Sequence, residues 1–202
     1  MISGVPWPLH RTAEGWNPAG QVHPRVVLPL IVADQGHEQP AREAVVLVEA
    51  QHDADGPASL ASQLLKLAGF LLELRDQAHL AHLNIEGPLF LPVHAFLGEQ
   101  YEAIAGQFDV ICEHVRAMGF RMPPSSPQLR GLCDCFCHCS ATSAREILST
   151  YGANLDCAAE MATAAEELAA EARQIDIQNS LAELVAHCRK GSWMLAATLA
   201  PQ

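Results

Sequence analysis

The sequence is poor in basic residues. Its 12 Lys and Arg stand against 23 Asp and Glu, a formal net charge of −11. Residues 1–40 contain no Lys, only Arg11 and Arg25. Binding to a phosphate backbone is driven by cationic side chains that release counterions, so this balance opposes DNA binding and favours attraction of cations. Long apolar runs are also missing. The longest, VVLPLIVA at 26–33, is too short to span a bilayer and contains Pro29. No compact basic region precedes it, so it is a poor signal peptide. No membrane segment and a cytoplasmic location are therefore expected, and in that compartment seven cysteines argue for free thiols or a metal more than for disulfides. No internal repeat of fixed period occurs.

Apolar residues make up 50% of the chain, ample for a packed core, and 202 residues suit one domain with an extension. Residues 1–40 hold six prolines and little periodicity; Trp7, Trp16 and the 26–33 run suggest an arm that packs on something. The domain reading is an N-terminal extension over 1–56 and a helical domain over 57–200. Leu60, Leu64, Leu67, Leu71 and Leu74 recur at three and four, which predicts a helix over about 58–83. NIEGP at 84–88 breaks it, because Asn84 and Gly87 can adopt left-handed dihedrals and Pro88 has no backbone donor.

A second helix opens near Pro92, with a buried stripe of Val93, Leu97, Tyr101, Ile104, Phe108, Ile111, Cys112, Val115 and Met118. Gly119 and PPSSP end it. A polar, cysteine-rich connection over 120–141 carries one short helix. The third long helix starts at SARE, where Ser143 and Glu146 have capping-box spacing, and runs to about 173. QIDIQN reads as a turn, and the fourth helix covers about 178–199. The fold class is all-α, a four-helix bundle with a short extra helix in the long second connection.

Asp109 and Glu113 are four apart on the second helix and share one face. Within a Phe/Val/Ile/Cys stripe they are expected to be buried, and buried carboxylates need partners such as a metal. Oxygen ligands together with the imidazoles of His82 and His94 make a mixed set suited to iron, zinc or manganese. His94 and Asp109, however, are 15 residues apart, about 22 Å along a helix at 1.5 Å per residue. One straight helix cannot bring both to one ion. Two can: if this helix packs antiparallel on its twofold mate, His94 of one chain meets Asp109 and Glu113 of the other, giving two sites per dimer.

The stretch HLNIEGPLFLPVHAFLGEQYEAIAGQFDVICEHVRAMG resembles the central signature of the Dps-like mini-ferritins, members of the ferritin-like superfamily. In that signature His, Asn and Gly close one helix, Phe and His open the next, and Asp-x-x-x-Glu lies about a helix-length on. The resemblance covers about 60–199, and SWMLAATL at 192–199 matches the closing helix, with Trp193 on a recurring Trp. It implies a ferritin-like four-helix bundle assembled from twofold dimers into a hollow dodecamer. It implies a ferroxidase that oxidises Fe(II) with hydrogen peroxide or oxygen at intersubunit sites and stores ferric mineral. The ligands it implies are His82 and His94 from one subunit and Asp109 and Glu113 from its neighbour.

The sequence departs from that pattern in places. The acid common four residues after the second histidine is Gly98 here, with Glu99 next to it as a candidate substitute, and the aromatic that often follows the first histidine is Leu83. His79 lies one turn before His82 and is a further candidate ligand. Asp176 is the nearest candidate for the acids of the family's iron-entry pore, with Asn179 where another would stand. CDCFCHC at 133–139 is foreign to the family pattern. On a strand Cys133, Cys135, Cys137 and Cys139 would share a face; on a helix they would pair at i,i+4. Either way they are candidate soft-metal or redox-sensing thiols. His10, His23, His37 and His52 read as ordinary surface histidines. Two alternatives to the ferroxidase stand: a non-catalytic shell with zinc at the His/Asp/Glu set, and a thiol-based regulator centred on Cys133–Cys139.

Overall fold

The computed structural model describes residues 56–140 and 143–201. The expectations for Trp7, Trp16, the 26–33 run, His10, His23, His37 and His52 lie outside the described residues. Five helices follow in order: α1 (Gly56–Asn84), α2 (Phe90–Ala117), α3 (Ser126–Arg130), α4 (Ala144–Glu171) and α5 (Ile175–Leu199). The fold is an all-α four-helix bundle with α3 as the short extra helix.

The predicted leucine stripe of α1 is the centre of the core: Leu60, Leu64, Leu67, Leu71 and Leu74 are fully buried, with Phe70 and Tyr151 the largest enclosed rings. From α4 come small residues, Ala158, Ala159, Ala162, Ala165 and Ala169, which let helices approach closely while still removing apolar area from water. On α2, Val93, Leu97, Ile104, Ile111 and Val115 are buried, whereas Tyr101, Phe108, Cys112 and Met118 are only partly covered at the margin of the core.

The α1–α2 corner turns at Gly87, whose φ of 98° lies in the left-handed region that favours glycine; Asn84 stays helical. Gly119, φ 90°, ends α2. At the head of α4 the Ser143 hydroxyl accepts from the Glu146 backbone N–H and also donates to the Glu146 carboxylate, a variant of the expected capping box. The expected turn at QIDIQN is corrected. Arg173, φ 56°, closes the α4–α5 link, and α5 is already helical at Ile175. With Ala172 following α4 and Gln174 capping α5, the turn is only three residues long.

The long connection runs back along α1. Leu129 of α3 seats against Gly69, where an added Cβ would stand 2.5 Å from the Leu129 carbonyl oxygen. Further on, Phe136 packs edge-on against Phe70, ring centroids 5.0 Å apart. Gln77 then donates to the Cys137 carbonyl at 3.2 Å. At the far end Arg145 of α4 reaches the Leu199 carbonyl. The order is therefore up-down-down-up, with the connection crossing the bundle lengthwise, as ferritin-like bundles require.

Asn154 fastens this crossover. It is buried, donates to the Cys137 carbonyl (2.8 Å) and to Gln77 Oε1 (2.9 Å), and accepts from the Cys137 N–H (3.1 Å). Asn154→Ala removes all three bonds. The expected loss is about 1–3 kcal/mol, read as a lower midpoint in denaturant, with faster amide exchange concentrated near Cys137.

A second buried amide, Gln100, accepts from Tyr151 (3.4 Å) and His187 Nε2 (3.1 Å). Burial, then the charge of Lys190, lowers the His187 pKa below its ordinary 6.5. In the unfolded chain the imidazole protonates as pH falls through about 6.5, while in the fold it stays neutral to lower pH. The unfolded state thus binds more protons in that window. His187 is expected to make stability fall as pH drops below 6.5, and His187→Gln should flatten that slope in urea titrations at pH 5 and 7.

Candidate metal centre

His82 closes α1 and His94 opens α2, and the corner between them stacks their rings, centroids 3.6 Å apart at 21°. Each ring is fixed by the other residue's backbone: His82 Nδ1 donates to the His94 carbonyl at 2.8 Å, and His94 Nδ1 to the His82 carbonyl at 2.8 Å. A carbonyl can only accept, so both Nδ1 atoms carry the proton. Both Nε2 lone pairs are left available as ligands. A metal-ligating histidine usually has its other nitrogen held by such an outer bond.

Around this pair, Tyr101 sets its ring edge against His82 (5.5 Å) and lies tilted at 34° against His79 (4.5 Å), while the His79 and His82 ring centroids are 6.3 Å apart. His79 is therefore adjacent to the pair, and exposed. Gly98 faces His82 directly: a Cβ there would lie 3.5 Å from His82 Cε1 and 3.6 Å from Nδ1. Glu99 is exposed on α2.

Asp109 and Glu113 are exposed in the single chain, which corrects the expectation that they are buried. The apolar stripe of Ile104, Ile111 and Val115 turns inward. The acids sit on another stripe, 91, 95, 98, 102, 106, 109 and 113, whose members are exposed apart from the half-buried Gly98. Because α2 is continuous from Phe90 to Ala117, His94 and Asp109 remain about 22 Å apart. Among the described residues no group of three or more His, Cys, Asp or Glu forms a metal cage within one chain. The nearby Cys112 thiol is pushed up to about 11 by burial and then by the Asp109 charge, so it keeps its proton at neutral pH.

Asp176 lies in the first turn of α5, largely exposed, 3.8 Å from His114 Nδ1; His114 Nε2 is 2.9 Å from Ser180 Oγ. Trp193 is 67% exposed. In the irregular segment after α3, Cys133 and Cys135 bring their sulfurs to 3.7 Å. Cys137 is exposed and, among the described residues, has no sulfur partner, and Cys139 is half-buried. The sequence reading did not find Met161, 3.9 Å from Cys135, or Cys157, whose thiol feels the neighbouring Cys135. Their only linear signal is the i,i+4 spacing on α4.

A family model for the ferritin-like domain matches residues 61–201, more than half of the chain. The chain belongs to the ferritin-like family, and its fold is Dps-like. Antigen TpF1 from Treponema pallidum superposes with a TM-score of 0.69 at 24% identity, over 74% of this chain and 96% of that one. A Dps protein from Bacillus brevis gives 0.68 at 22%, over 73% and 99%. The Dps protein from Vibrio cholerae O1, described as a member of a broad superfamily of ferritin-like diiron-carboxylate proteins, gives 0.67 at 20%, over 72% and 91%. At these identities the likeness concerns the fold. No curated protein matches the sequence. Among the described residues no helix is long and apolar enough to cross a membrane.

Proposed function

We propose that the protein is an iron-storage and detoxifying mini-ferritin. It oxidises Fe(II), with hydrogen peroxide or oxygen, at sites between subunits, and holds the ferric product in a hollow dodecamer built from twofold dimers. The observation that carries this reading is the reciprocal tethering of His82 and His94, which leaves two parallel Nε2 donors beside the exposed stripe of α2 that bears Asp109 and Glu113. An antiparallel pairing of two α2 helices along that stripe juxtaposes His82 and His94 with Asp109 and Glu113 of the partner subunit. The exposed Leu80, Leu83, Leu91 and Val110 supply apolar area for such a contact.

At the site the imidazoles bind Fe(II), and the two carboxylates favour the more highly charged Fe(III) once it forms. With peroxide, two Fe(II) each give one electron, the O–O bond breaks, and two protons complete two waters. The paired transfer avoids releasing a one-electron-reduced radical. The excess of acidic residues draws cations towards the protein. DNA compaction is not expected, and a gel mobility assay at low salt should leave DNA unshifted.

A crystal soaked in Fe(II) and measured at the iron edge tests the reading. Iron is expected between the histidine pair and the partner's acids. An unoccupied pair, or a crystal without the twofold contact, overturns it. Gly98 supports a second reading, a shell that holds zinc at the same residues without turnover, because it removes a carboxylate from beside His82. That reading predicts zinc retention with no stoichiometric Fe(II) oxidation by either oxidant.

A further inference from the structure

The bundle carries a second cluster of metal-capable side chains, built entirely from sulfur. Cys133 and Cys135 come from the irregular part of the crossover, Met161 and Cys157 from neighbouring turns of α4. Cys135 is at the centre, 3.7 Å from the Cys133 sulfur and 3.9 Å from the Met161 sulfur. Two sulfurs that share one ion at about 2.3 Å stand roughly 3.8–4.0 Å apart at tetrahedral or trigonal angles. The two spacings at Cys135 are thus already those of sulfurs that share an ion.

We propose that Cys133, Cys135 and Met161 bind one Cu(I) ion per chain. The donor set selects the metal. Two thiolates and a thioether are soft, and a thioether suits Cu(I) far better than zinc, iron or manganese. No imidazole or carboxylate takes part. Three ligands satisfy Cu(I), whereas structural zinc takes four.

The surroundings are those of a ligand site. The segment itself is anchored on both sides of Cys135: before it the Cys133 N–H donates to the Arg130 carbonyl (3.0 Å), and after it Phe136 packs on Phe70 and the Cys137 backbone bonds Asn154. Loading the site displaces a proton from each of Cys133 and Cys135.

The test is an anaerobic titration of the full chain with Cu(I) against a bicinchoninate competitor, with absorption at the copper edge. One tightly held Cu(I) per chain in a sulfur-only shell is expected. Cys135→Ser should lose that equivalent, Met161→Leu should weaken it by about tenfold or more, and Cys137→Ser should leave it in place. Circular dichroism of each variant separates lost binding from lost folding, and Met161→Leu conserves volume. Unchanged copper in Cys135→Ser, imidazole nitrogen in the copper shell, or a tighter four-coordinate zinc complex at these residues overturns the proposal. The readout is independent of Fe(II) oxidation.

Discussion

Two inactive variants, assembled together, are expected to recover iron oxidation. The first carries His82→Ala and His94→Ala, the second Asp109→Asn and Glu113→Gln. Alone, each should oxidise Fe(II) more than about 100-fold slower than the parent, since losing even an outer-shell partner costs roughly 10–100-fold. In a mixed twofold dimer one site receives every defect and the other receives none. Random pairing makes half the dimers mixed, so about a quarter of all sites become intact. Co-expression followed by an Fe(II) oxidation assay with peroxide measures this. A site contained in one chain recovers nothing on mixing. The prediction follows from the length of α2: His94 and Asp109 belong to one unbroken helix and cannot converge by any rotamer. All four substituted side chains are at least partly exposed, so folding should survive.

Gly98→Asp is expected to tighten Fe(II) binding at the second position of each site and so raise its occupancy, because it adds a carboxylate to the histidine pair. A Cβ at this position makes ordinary contact with His82, at 3.5 and 3.6 Å, so a side chain can be added without moving the backbone. Aspartate is somewhat poorer in helices than alanine but no worse than glycine, and its stability cost should be small. Anaerobic Fe(II) titration followed by calorimetry reads the stoichiometry, and oxidation with peroxide reads the consequence for turnover. An unchanged stoichiometry means that Glu99 or another group already fills the second position.

Most of the bundle is legible in the sequence, because leucine spacing and end signals depend on neighbours three and four residues away. The α1 stripe, the break at NIEGP, the Ser143 start and the stop at Gly119 are of this kind. The head of α5 is not, since Asp176, Gln178 and Asn179 look like a loop until Arg173 is seen closing the turn by itself in a left-handed conformation. The burial of Asp109 and Glu113 is misjudged for a related reason. They neighbour Phe108, Ile111 and Cys112 in sequence, but at 100° per residue the helix carries them away from the core.

The tethering of the histidines leaves no mark in the sequence at all, because its acceptors are backbone carbonyls. The partnership of Cys135 with Met161 depends on where an irregular segment comes to rest, 26 residues from its contact. That resting place is set by Phe136, Gln77 and Asn154 rather than by any repeat in the cysteines themselves.

Each of the two imidazoles hangs from the main chain of the other residue, so an alanine at either position keeps the carbonyl that tethers the remaining ring. It removes the stacked neighbour and one Nε2 ligand, but leaves the second imidazole held in place. Measured affinities across such a cycle should therefore fall in two separate steps rather than one. The same tethers settle the rotamers when the corner folds, before any cation arrives. Capture then costs little conformational entropy on this half of the pocket.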